Sequence, residues 1–126
     1  MNGAGRPRPQ GGLDLTAWIF MRVSGVVLLF MVLIHLVIMH IINNVEVINY
    51  SFVANRYATP FWRTYDVVML WLALIHGING ARVMIDDYVG SRGWRVFSLA
   101  SLYLLGFIFL ALGSLVILTF NPARPF

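Results

Sequence analysis

The chain has 126 residues, 60% of them hydrophobic and only 11% charged, with a mean hydropathy of +0.79. A soluble domain carries about a quarter charged residues, so an ordinary soluble enzyme is excluded, and the lack of cysteine excludes disulfides, thiolate metal sites and thiol catalysis. The net charge of +4 does not point to nucleic acid, because the nine basic residues, all arginine, are scattered at the ends of apolar runs and form no basic face.

Residues 1–14 open with "MNGAGRPRPQGG", rich in Gly, Pro and Arg, and are expected to form a flexible N-terminal arm. A first apolar stretch then runs from about 16 to 42 and is uncharged from Val23 to Val45. Its length exceeds the core of a signal peptide and no small-residue cleavage site follows it. A second stretch covers about 60–86, with Asp66 and Arg82 bracketing its uncharged centre, and a third covers about 96–120. A transmembrane helix needs roughly 20 apolar residues. The second stretch meets that length if Asp66 and Arg82 sit near the two interfaces, where long arginine stems can snorkel. The expectation is an all-α integral membrane protein, with residues 15–126 forming one domain of three transmembrane helices.

Arginine placement sets the expected topology. With three spans, one side holds Arg6, Arg8, Arg22, Arg82, Arg92 and Arg95, and the other holds Arg56, Arg63 and Arg124. The first side is then cytoplasmic, with the N-terminus on it. Trp18, Trp94, Trp62 and Tyr57 fall near the span ends, where an aromatic belt belongs.

Polar side chains inside a bilayer are costly and call for a reason. At about 100° per residue, His76, Gly80, Val83 and Asp87 fall on one stripe of the second span, the acid about 16 Å below the histidine. That pattern suits a haem, whose iron takes an imidazole as axial ligand while a glycine one turn away leaves room for the ring. It equally suits a histidine that only hydrogen-bonds a neighbouring helix, with Gly80 allowing close packing. In the first span, Arg22 lies on the side of Asp87 and Tyr88 and is a candidate partner for an anionic group, or a positive-inside anchor. His35 shares a face with Ser24 deep in the span, and His40 is rotated about 140° from it. Gly106 and Gly113 of the third span share a face and read as a helix contact. The Asp86–Asp87–Tyr88 group closes the second span. A quinone gains protons with its electrons, and a tyrosine beside an acid is a suitable donor to its carbonyl.

The pattern His76-xxx-Gly80-xxxxxx-Asp87-Tyr88, with Arg22 in the first span, three helices and a basic arm, resembles the D-type hydrophobic anchor of succinate dehydrogenase, the respiratory complex II. The motif His76–Tyr88 is its specific part. Ser24, in "RVSG", is more similar to the C-type anchor. The resemblance implies half of a heterodimeric anchor bundle in a bacterial inner (cytoplasmic) membrane. It implies a C-type anchor, an iron–sulfur subunit and a flavoprotein as partners, with succinate oxidised elsewhere in the complex. His76 would then be an axial ligand to the iron of haem b, shared with the companion anchor, with Gly80 and Arg22 in the cofactor site. Tyr88, Asp87 and Arg22 would belong to the quinone site, and His35 stands as a candidate ligand for a second haem. The alternatives are an anchor of a fumarate reductase, a free-standing b-type cytochrome pairing His35 with His76, and a small structural or transport protein.

Overall fold

The computed structural model describes residues 12–121, and the arm before Gly12 and Arg124 lie outside them. All regular structure among the described residues is helical. Helix α1 (Leu13–Leu36) continues into a π-helical turn, Val37–Ile42. A short 3-10 turn at Val45–Val47 leads to α2 (Tyr50–Ala58), followed by α3 (Pro60–Tyr88) and α4 (Arg92–Thr119). Three helices are long and apolar enough to cross a membrane, Leu15–Ile42, Pro60–Tyr88 and Arg92–Thr119. Inside lipid every backbone N–H and C=O needs a partner from its own segment, and the helix supplies one. At 1.5 Å per residue, α3 alone is about 43 Å long, which exceeds the ~30 Å hydrocarbon layer and carries its ends into the headgroups.

The polarity of this fold is inverted relative to a soluble domain. Leu28 and Ala54 are the buried apolar residues among those described, while Phe30, Ile41, Phe107 and many others are exposed. Ser24, Arg56 and Asp66, in contrast, are buried. Lipid is as good a solvent for a leucine as another leucine is, so the helices gain by turning small and polar groups inward.

The central helix is α3, which packs on α4 more extensively than on α1. Against α4 it uses two glycines: a Cβ added at Gly106 would overlap Ile78, and one at Gly113 would lie 2.7 Å from Leu70 Cδ2. Between those two points Trp71 Nε1 donates to Ser114 Oγ at 2.9 Å. Against α1, the Tyr65 hydroxyl donates to the Met31 carbonyl, 2.5 Å away. The expected contact role of Gly106 and Gly113 is thus observed, and its physical reason is backbone approach.

The sequence pattern assigns no element between residues 42 and 60, yet α2 lies there. Its first turn is capped by Asn49, whose Oδ1 accepts from Phe52 N at 3.0 Å. Thr59 is extended and Pro60 opens α3, so the proline both ends α2 and starts the next helix. At the far end of α3, Arg95 Nε and Nη2 donate to the Val89 carbonyl at 3.1 and 2.9 Å and close the short connection to α4. At the opposite end Arg63 donates to the Leu118 and Phe120 carbonyls, capping α4.

Candidate functional site

Two polar constellations divide the molecule along its length. The first lies between α1 and α3. Ser24, only 2% exposed, places its Oγ 2.8 Å from His76 Nδ1. The close approach is possible because position 25 is glycine: a Cβ there would stand 3.3 Å from His76 Cε1, tighter than ordinary contact. No hydrogen bond to His76 Nε2 is formed by the described residues, so that nitrogen is left for a further ligand. Gly80 is next on the same stripe, and a Cβ there would meet Met21 Cε at 3.7 Å. That is ordinary contact, so the packing of α1 does not by itself demand glycine at 80.

Asp87 and Tyr88 end the same helix, both exposed, Tyr88 to 81%. Arg22 lies on α1 next to Met21 and is also exposed. Its guanidinium rests 4.2 Å from the centre of the Trp18 ring, a cation–π contact. No ion pair joins Arg22 to Asp86 or Asp87 among the described residues. The structure therefore brings Ser24, Gly25, His76 and Gly80 together, and leaves Arg22, Asp87 and Tyr88 open at one end of the α1–α3 pair. Arg82, two residues beyond Gly80 and on another face, has a buried Nε with no hydrogen-bond partner.

The second constellation occupies the opposite end of α1 and α3. Arg56 of α2 and Asp66 of α3 form a buried bidentate ion pair. His35 Nδ1 approaches Asp66 Oδ1 at 3.8 Å, outside hydrogen-bond range, and is buried without a partner. The Arg56 guanidinium also lies 4.3 Å from the Trp62 ring centre. His35, Arg56, Tyr57 and Asp66 border a cavity of about 440 Å³ whose other lining side chains, Met39, Met69 and Ala73 among them, are apolar. On α2, burial and then the neighbouring Asp66 carboxylate raise the Tyr57 hydroxyl above its ordinary pKa, which keeps it a proton donor.

His35 and His76 belong to different constellations. Ser24 and His35 are eleven residues apart on α1, so His35 and His76 are separated by about 15 Å along the helices. A haem with two histidine ligands needs both rings on one iron, so His35 and His76 do not share one. The single-chain cytochrome that pairs them does not fit this spacing.

A family model described as the succinate dehydrogenase/fumarate reductase transmembrane subunit matches residues 5–120, nearly the whole chain. The chain belongs to that family. It is also similar to the succinate dehydrogenase hydrophobic membrane anchor subunit of Thermoplasma acidophilum, at 32% identity over 65 residues. The aligned part is 52% of this chain and 53% of that relative, so the chain spans about half the length of the curated protein it matches. Membership of a family of membrane anchors agrees with three apolar helices and with exposed apolar faces on each of them.

Three features of this anchor-family chain were outside the reach of sequence reasoning. Arg56 and Asp66 read as interfacial charges, and only the fold of α2 back onto α3 pairs them. Ser24 was legible as a polar residue on the face of His35, but its partner is His76. Gly25 carried one signal, the small pair "SG" beside Arg22, which marks a place where α1 can be approached closely.

Proposed function

We propose that this chain is the D-type anchor of a succinate:quinone oxidoreductase, holding haem b through His76 and contributing Tyr88, Asp87 and Arg22 to the quinone-reduction site. What carries the reading is the placement of His76 in a chain of this family. Its Nδ1 is occupied by Ser24 and its Nε2 is free. The ring sits on the stripe of α3 that leads through Gly80 to Asp87 and the exposed Tyr88. The donor set fits a haem: an imidazole in an apolar surround, with glycines at 25 and 80 keeping its flank open. When bound, the haem supplies a one-electron redox centre within the membrane. A companion C-type anchor docked on the exposed apolar faces would supply the partner ligand, since His35 lies too far away.

At the end of α3 the protein's task is to receive a quinone. Reduction to the quinol takes up two electrons and two protons. The electrons come from an iron–sulfur subunit, itself fed by the flavoprotein that oxidises succinate. The Tyr88 hydroxyl donates a hydrogen bond to a quinone carbonyl, and Asp87 beside it orients that hydroxyl and passes protons from the aqueous edge. Arg22, carried on the neighbouring helix and steadied by Trp18, places a positive charge at the same end, suited to a haem propionate or to the quinone oxygen as it gains charge. The arginine asymmetry supports a cytoplasmic side for this end and the N-terminus, and the family resemblance supports a bacterial inner membrane. A fumarate reductase anchor shares every one of these features, and the direction of electron flow separates the two.

The test is a reduced-minus-oxidised spectrum of the complex purified with its companion subunits. Bands of b-type haem are expected in the intact complex and are lost in His76→Ala. Unchanged bands in that variant would overturn the ligand assignment.

A further inference from the structure

His76 carries one proton on one of two ring nitrogens, and the ligand role requires it to be on Nδ1 so that Nε2 keeps its lone pair. The surroundings of Ser24 favour that tautomer. Its hydroxyl is within 3.4 Å of the Met21 carbonyl, one turn back along α1, and within 2.8 Å of His76 Nδ1. A carbonyl oxygen only accepts, so a hydroxyl proton turned toward Met21 leaves an Oγ lone pair facing His76 Nδ1. The opposite arrangement has Ser24 donating to Nδ1. It would leave a proton on Nε2, for which the described residues offer no acceptor, in a region where unpaired polar groups are expensive.

We propose that Ser24 is a positioning residue for the haem ligand: it accepts the Nδ1 proton of His76 and hands its own to the Met21 carbonyl, which holds the imidazole in the tautomer and at the rotation that present Nε2 to the iron. This rests on the reading of His76 as an axial ligand. The relay His76 Nδ1–H to Ser24 Oγ–H to Met21 O moves no net proton; it is a fixed polarity. Two consequences follow from general ligand chemistry. An acceptor on Nδ1–H makes the imidazole more basic, and a more basic ligand favours the ferric over the ferrous iron. Ser24 is also buried, and the missing Cβ at Gly25 lets α1 lie close beside the ring at Cε1.

Ser24→Ala and Ser24→Thr in the complete complex, each with haem content, the haem midpoint potential and the ferric electron paramagnetic resonance spectrum measured, test the proposal. Ser24→Ala is expected to raise the potential and alter the ferric signal, or to lose haem from an otherwise assembled complex. Ser24→Thr, which keeps the hydroxyl, is expected to stay near wild type in potential, signal and haem content. Haem retained in Ser24→Ala with unchanged potential and spectrum overturns the proposal. Equal loss or equal shift in both variants also overturns it, because packing volume and not the hydroxyl would then be what matters. His76→Ala is run alongside: b-type bands surviving there would remove the ligand reading itself, an outcome separate from either result at Ser24.

Discussion

Arg56 and Asp66 meet through two hydrogen bonds, Nε to Oδ2 at 3.1 Å and Nη2 to Oδ1 at 2.9 Å, with both side chains shielded from solvent. One belongs to a nine-residue helix between two spans and the other to the first turns of α3. The pair therefore fastens the connecting segment onto the bundle. A buried ion pair contributes little against a well-packed apolar substitute, but removing one partner leaves an uncompensated charge.

Asp66→Leu alone is accordingly expected to destabilise the complex by about 3 kcal/mol, since it strands the Arg56 guanidinium. Arg56→Met combined with Asp66→Leu should recover most of that loss. Thermal unfolding of the detergent-purified complex measures both. Strictly additive losses in the double variant would show that the two side chains are not coupled.

Gly106 on α4 lies directly against Ile78 on α3, where a Cβ would overlap the isoleucine tip. Gly106→Ala should cost about 1–3 kcal/mol through overpacking. Ile78→Val removes the obstructing methyl, so the double variant is expected to be more stable than Gly106→Ala alone. The same unfolding assay decides it. No recovery would mean that the helices separate in place of rotating the side chain.

Tyr88 is exposed at the end of α3, so losing its hydroxyl should not disturb packing. In Tyr88→Phe, quinone reduction is expected to slow by about 10²-fold or more, in line with the usual size of a general acid's contribution. Succinate oxidation with a soluble electron acceptor should be unchanged. A parallel fall in both activities would indicate faulty assembly and not quinone chemistry.

His35 faces the Arg56–Asp66 pair and borders the cavity at that end. With a single haem assigned to His76, His35→Ala is expected to leave the haem content and the b-type spectrum of the complex unaltered. Haem quantified per anchor chain by its pyridine haemochrome gives the answer. Loss of half the haem on this substitution would establish a second haem held by His35.

Much of this molecule is written locally in the chain. Three long apolar runs, two of them uncharged for more than twenty residues, must be helices wherever lipid surrounds them, because no other open segment satisfies its own backbone. The spacing of His76, Gly80 and Asp87 on one stripe follows from helical period alone. What the chain does not state is how each helix is turned. Spans apolar on every side carry almost no amphipathic signal to show which face meets a neighbour, and burial in lipid supplies no hydrophobic drive to select one. The pairing of His76 with Ser24, fifty-two residues away, therefore appears only once α1 and α3 are packed. The same holds for α2, whose nine residues have a clear cap in Asn49 but are too few to mark a span. Its place depends on Arg56 finding Asp66. Local sequence determined the spans and the stripe, through hydrogen-bond closure and helical period. The tertiary structure alone decided their rotation, through glycine contacts and a few buried polar pairs, and with it the nitrogen of His76 that is left open.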